Sequence, residues 1–144
     1  MTEVVDAWQA ALGAEQQAAF GYAVLGPNLP HKRQSLARSC QAAHEKLRDA
    51  TADAIAATGV SAQAPAGDYP ALYPAARHPV ALAAKLEDEC AAAWRFLYAQ
   101  VATAGAAASL RAQAQAGLTA SAVRAARWRM LIDPVHAARP FPGT

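Results

Sequence analysis

The stretch VSAQAPAGDYPALYPAARH, residues 60–78, decides how the helices of this chain connect. It holds Pro65, Gly67, Pro70 and Pro74, and Pro79 follows it. Proline lacks a backbone N–H and clashes with a preceding turn, so this composition forbids a helix across the segment. Tyr69, Leu72 and Tyr73 lie between the prolines, which points to a strap laid over a surface rather than a free linker. Its 19 residues reach about 60 Å when extended at about 3.3 Å each. A flanking helix of about 26 residues is about 39 Å long. The strap can therefore run the whole length of a helical layer and start the next helix at the far end, making the helices before and after it parallel. An up-down-up-down bundle needs only short loops, so the expected topology is two antiparallel hairpins joined by a long proline-rich crossover.

Working outward, apolar residues recur in steps of three and four on both sides of the strap. Before it, Val5, Trp8, Leu12, Glu15, Ala19, Tyr22 and Leu25 predict a helix over about 2–26, with Thr2 as its cap. The prolines at 27 and 30 end that helix and open the next. Leu36, Cys40, His44, Leu47, Thr51 and Ile55 predict a second helix over 31–58, stopped by a left-handed Gly59. After the strap, Val80, Leu86, Glu87, Cys90, Trp94, Leu97 and Val101 mark a third helix over 79–104. Leu110, Ala114, Gly117, Ser121, Arg124 and Trp128 mark a fourth over 107–132, and 133–144 reads as an irregular tail. Gly21 and Gly26 read as points of close helix packing.

Composition agrees with an all-α domain. Of 144 residues 42 are alanine, against 8 valines and 2 isoleucines, which favours helices over a pleated sheet. The length suits one domain over 1–144. A formal net charge of +2, with no basic stripe interleaved with aromatics, argues against a nucleic-acid partner, and Arg127 and Arg129 read as solvated cations at a helix end. Apolar runs are too short for a membrane span. The acidic start, Met1 to Asp6, carries no basic leader, so a cytoplasmic location is expected. There Cys40 and Cys90 are expected as small core residues. With the second and third helices parallel, the two lie about 10 Å apart along the axis, too far for a disulfide.

Three ionisable residues interrupt the apolar stripes: Glu15, His44 and Glu87. A buried carboxylate needs a partner, a proton or a cation. Counted from the bends, Glu15 and His44 sit at one depth, and the position level with Glu87 in the last helix is near Arg124. Each half thus opposes one glutamate to one basic residue, as in a degenerate repeat. A glutamate on each of two helices and Glu-x-x-His on the other two form the carboxylate di-iron arrangement of ferritin-like bundles. Here the second helix offers Gln41-x-x-His44 and the fourth Ser121-x-x-Arg124, so two glutamates and one histidine stand where six ligands are expected.

The segments LGAEQQAAFGYAVLG (12–26), LEDECAAAW (86–94), AVRAARWR (122–129) and PFPG (140–143) resemble an actinobacterial ferritin-like family of unknown function. The resemblance covers nearly the whole chain and implies a ferritin-like four-helix fold without supplying an activity. The favoured expectation is a non-catalytic binding or structural module with no cofactor. Its degenerate site is a buried polar cluster of Glu15, Gln41, His44, Glu87 and Arg124, with the guanidinium serving both carboxylates. Its expected partners are a second copy in a homodimer, another protein or a small molecule held near Tyr22 and Trp94. The alternative is an iron or zinc protein, or a metal-dependent oxidoreductase, with Glu15, His44 and Glu87 as ligands. His31, His78 and His136 are expected to be exposed, and Trp8, Tyr22, Trp94 and Trp128 to pack the core.

Overall fold

The chain is carried by helices α1 (Thr2–Leu25), α2 (His31–Ala56), α3 (Leu72–Ala75), α4 (Pro79–Ala104) and α5 (Ala108–Arg129). Short 3-10 turns lie at Gly26–Asn28 and Pro134–His136. This computed structural model describes residues 2–144, so Met1, the first residue of the acidic start, lies outside the described residues. Among the described residues there is no strand.

The four long helices match the expected ones, with shifted ends. Thr2 is already helical rather than a cap, and α5 ends at Arg129, after which Met130, Leu131 and Ile132 continue as turns. Gly105, left-handed at φ 64°, caps α4 where a side chain would be strained, while α2 is capped by a right-handed Ala57 and the left-handed Gly59, at φ 89°, follows two residues later. The strap does contain a helix, contrary to its reading as helix-free. α3 is a single turn with Pro74 inside it, which is tolerated because the N–H groups of a first turn have no helical partner to lose.

Side-chain pairing gives the helix directions. Tyr22 meets Glu87 and Glu15 meets Trp94, so α1 and α4 are antiparallel. Glu87 meets Arg124 while Trp94 lies over Gly117, so α4 and α5 are antiparallel. Since α1 and α2 form a hairpin, α2 and α4 run parallel. The strap shows how this is reached. Gln9 donates to the Ser61 carbonyl and accepts from the Gln63 N–H, Gln16 donates to the Gln63 carbonyl, and Tyr69 packs on Phe20 at a centroid distance of 5.0 Å. The strap therefore travels along α1 from Gln9 to Phe20, about 16 Å at about 1.5 Å per residue.

Helix α1 packs closely against α2 and α4, and α4 against α5. Small residues allow this. A Cβ on Gly117 would lie 2.6 Å from the Trp94 indole, and one on Gly21 would lie 2.4 Å from Leu86 Cδ1. Gly26, expected to share that packing, has open space around it. Trp94, Trp128, Tyr22 and Leu12 fill the core between these surfaces. The first buried position of α1 is Val4, with Val5 only partly covered. Cys40 and Cys90 are buried and free. No described helix is long and apolar enough to cross a membrane.

The tail folds back on α4. Arg129 donates through Nε to the Ala137 carbonyl and through its terminal nitrogen to both oxygens of Asp88, while Arg95 donates to the Pro142 carbonyl. Arg129 is thus a largely buried clamp and not the solvated cation expected of a helix end, whereas Arg127 is exposed.

Candidate functional site

Seven residues are two helical turns, and this spacing builds the site twice. On α1 it puts Glu15 and Tyr22 on one face, and on α4 it does the same for Glu87 and Trp94. Because the two helices are antiparallel, each glutamate faces the aromatic of the other. The Tyr22 hydroxyl donates to Glu87 Oε2 at 2.6 Å, and the Trp94 indole N–H donates to Glu15 Oε1 at 2.7 Å. Helix α2 inserts His44 between the carboxylates. Its Nδ1 lies 2.5 Å from Glu15 Oε2, and its Nε2 lies 2.9 Å from each oxygen of Glu87. From α5, Arg124 Nε donates to both Glu87 oxygens at 3.1 Å, and Trp128 donates to the Tyr22 hydroxyl at 2.8 Å. Glu15, His44 and Glu87 are 0% exposed.

Burial is the largest influence on His44 and favours its neutral form. The hydrogen bonds and charges of Glu15 and Glu87 outweigh burial and hold His44 up at about 9. Burial also opposes ionisation of Glu87, yet the His44 hydrogen bonds and charge, Arg124 and Tyr22 together hold it below the usual carboxylate range. Tyr22 is pushed far up, by burial first and then by the Glu87 charge, so it is a neutral donor. Burial opposes the charge on Arg124 as well, and Glu87 nonetheless raises it.

The expected residues come together only in part. Glu15, His44, Glu87 and Arg124 share the cluster. Gln41 does not: its amide donates to Glu45 one turn along α2. Arg124 touches Glu87 alone among the carboxylates, because α5 packs on α4 and not closely on α1. The bridge between the two acids is His44.

A di-iron centre does not fit these residues, since Gln41 points elsewhere and Ser121 accepts a hydrogen bond from Arg124. The trio Glu15, His44 and Glu87 does not fit a single ion either. The imidazole lies between the carboxylates and turns a different nitrogen to each, so the three share no common point. The small-molecule expectation meets a surface cleft between α1 and α2, lined by Tyr22, Ala37, Arg38 and Gln41, which does not include Trp94.

Residues 7–144 match the family described as a domain of unknown function, DUF4439. The chain belongs to this family. Its fold is similar to the crystal structure of a conserved hypothetical protein, rv2844, from Mycobacterium tuberculosis, with a TM-score of 0.82 and 28% identity. That match covers 91% of this chain and 98% of the other. No curated protein matches.

Four members of the site in this DUF4439 chain carried no polar expectation. Tyr22, Trp94 and Trp128 do fill the core, but their polar tips also partner the cluster. The signal was the repeated seven-residue step from each glutamate to an aromatic. Cys90, one turn from both Glu87 and Trp94, donates from Sγ to the Ala14 carbonyl at 3.4 Å. Its sulfur, a Glu15 oxygen and a His44 nitrogen all lie within 4.8 Å of one another.

Proposed function

We propose that this protein is a ferritin-like four-helix bundle, one domain over residues 1–144, in which an internal charge network replaces the di-iron site. It acts as a non-catalytic binding or structural module, and a second copy of the chain or another protein is its partner. The observation that carries this reading is the closure of the network. His44 spends both ring nitrogens on Glu15 and Glu87, and all three side chains are sealed from solvent. A reaction centre needs a position open to water or substrate. The parallel course of α2 and α4 and the strap that joins them along α1 support the ferritin-like topology.

Fe(II) oxidation in air tests the reading. The protein is expected to leave the oxidation rate at its protein-free value. Rapid oxidation that saturates at one or two Fe(II) per chain would overturn it.

A further inference from the structure

Among the described residues, three metal-ligating atoms converge on the Glu15 side of the cluster, and one of them is a thiol. Glu15, His44 and Cys90 each bring one such atom within 4.8 Å of the other two, and all three residues are buried. Each is held in place by a further partner. The Nε2 of His44 is engaged by Glu87, and Nδ1 is the nitrogen on the Glu15 side. The Trp94 indole holds Glu15 Oε1, so Oε2, beside His44 Nδ1, is the oxygen that it does not engage. The Cys90 sulfur points at the Ala14 carbonyl on the same stretch of α1 as Glu15. A carboxylate behind a ligating histidine and a donor behind a ligating carboxylate are the outer partners that orient ligands at protein metal sites.

We propose that Glu15 Oε2, His44 Nδ1 and Cys90 Sγ form a binding site for a single borderline-soft transition-metal ion, with Zn(II) the best match, and that Glu87 and Trp94 orient its ligands. A carboxylate, an imidazole and a thiolate are the donor types zinc takes, with bonds of about 2.0 to 2.3 Å. Glu15 Oε2 and His44 Nδ1 lie 2.5 Å apart, so the ion replaces the proton between them and widens that gap by about 1 Å. Binding releases two protons, one from Nδ1 and one from the thiol, and brings in two positive charges. The net charge of the cluster is therefore the same with or without the ion. The positive charge of Arg124 is offset by Glu87, with which it is paired at 3.1 Å.

The test uses the full chain without a histidine tag, kept reduced, with Co(II) as the spectroscopic probe and Zn(II) as competitor. The expected result is one Co(II) per chain, a thiolate-to-cobalt charge-transfer band, and loss of that band on adding Zn(II). Cys90→Ser abolishes the band and weakens Zn(II) binding beyond the roughly 10- to 100-fold lost with a merely orienting partner. Cys40→Ser retains both. Absence of the band in the wild type, or an unchanged affinity in Cys90→Ser, would overturn the site. If Cys90→Ser does not fold, alkylation of the wild type followed by peptide mapping decides. Zn(II) must slow modification of Cys90 more than that of Cys40, and equal slowing at both counts against the site.

Discussion

In the α1–α2 hairpin Glu15 faces His44, and both are closed off from solvent. In the α4–α5 hairpin Glu87 faces Arg124, whose side chain keeps 14% of its surface exposed. The depth and the acid are the same in both halves, while the base differs. Arginine stays charged at any pH a protein survives, so the second pair is permanent. The imidazolium of the first pair exists only while two carboxylates hold its proton. Glu87 joins the halves, because it accepts from His44 of one hairpin and from Arg124 of the other. The difference teaches that a degenerate repeat can keep its acids and still divide the labour of neutralising them.

Removing the shared acid should break the comparison most severely. Glu87→Ala leaves His44 Nε2, Arg124 Nε and the Tyr22 hydroxyl without the acceptor they share. Loss of one partner of a buried pair costs about 3 to 5 kcal/mol, and thermal unfolding should shift down by about 10 °C or more. An unchanged melting temperature would show that the two halves do not meet at Glu87.

The titratable half is probed by pH. His44 lies above its unfolded value of 6.5, so its contribution is whole below about 6.5 and disappears as pH rises through about 9. The span corresponds to about 3 kcal/mol at about 1.4 kcal/mol per unit. Glu87 lies below its unfolded value of 4.5, so its contribution is whole above 4.5 and lost as pH falls through the folded value. Denaturation in urea should show greatest stability between about 4.5 and 6.5, with a decline above it that His44→Gln flattens. A wild-type profile flat from pH 6.5 to 9 would refute the shared proton.

The smallest effect is expected at the open end. Arg124→Ala leaves Glu87 its His44 and Tyr22 donors, and water can reach the space the guanidinium leaves. A loss of about 1 to 2 kcal/mol is expected, below that of Glu87→Ala. A loss as large as that of Glu87→Ala would mean that Arg124 is as sealed as His44.

The polar positions were readable because an acid or a base stands out in a stripe of alanine and leucine. Glu15, His44, Glu87 and Arg124 were legible on those grounds. Who pairs with whom was not, since periodicity fixes a face and a depth but not the turn of a side chain. Hence Arg124 was given a bridge that belongs to His44, and Gln41 a place in the cluster that its bond to Glu45 denies. The strap's seat on α1 was half legible. Gln9, Gln16 and Phe20 share a face, and Gly13 between them leaves room for Gln63, but nothing local says what that face receives.

The sequence by itself determined the helices, their approximate ends and the crossover, because proline, glycine and apolar period act over a few residues. Tertiary structure alone decided the site. Antiparallel packing of α1 on α4 turns two seven-residue intervals into crossed hydrogen bonds, and α2 sets the imidazole between them. The same packing brings a thiol 75 residues along the chain from Glu15 to within reach of that glutamate and of His44. Those contacts depend on the relative placement of whole helices, which no local pattern encodes.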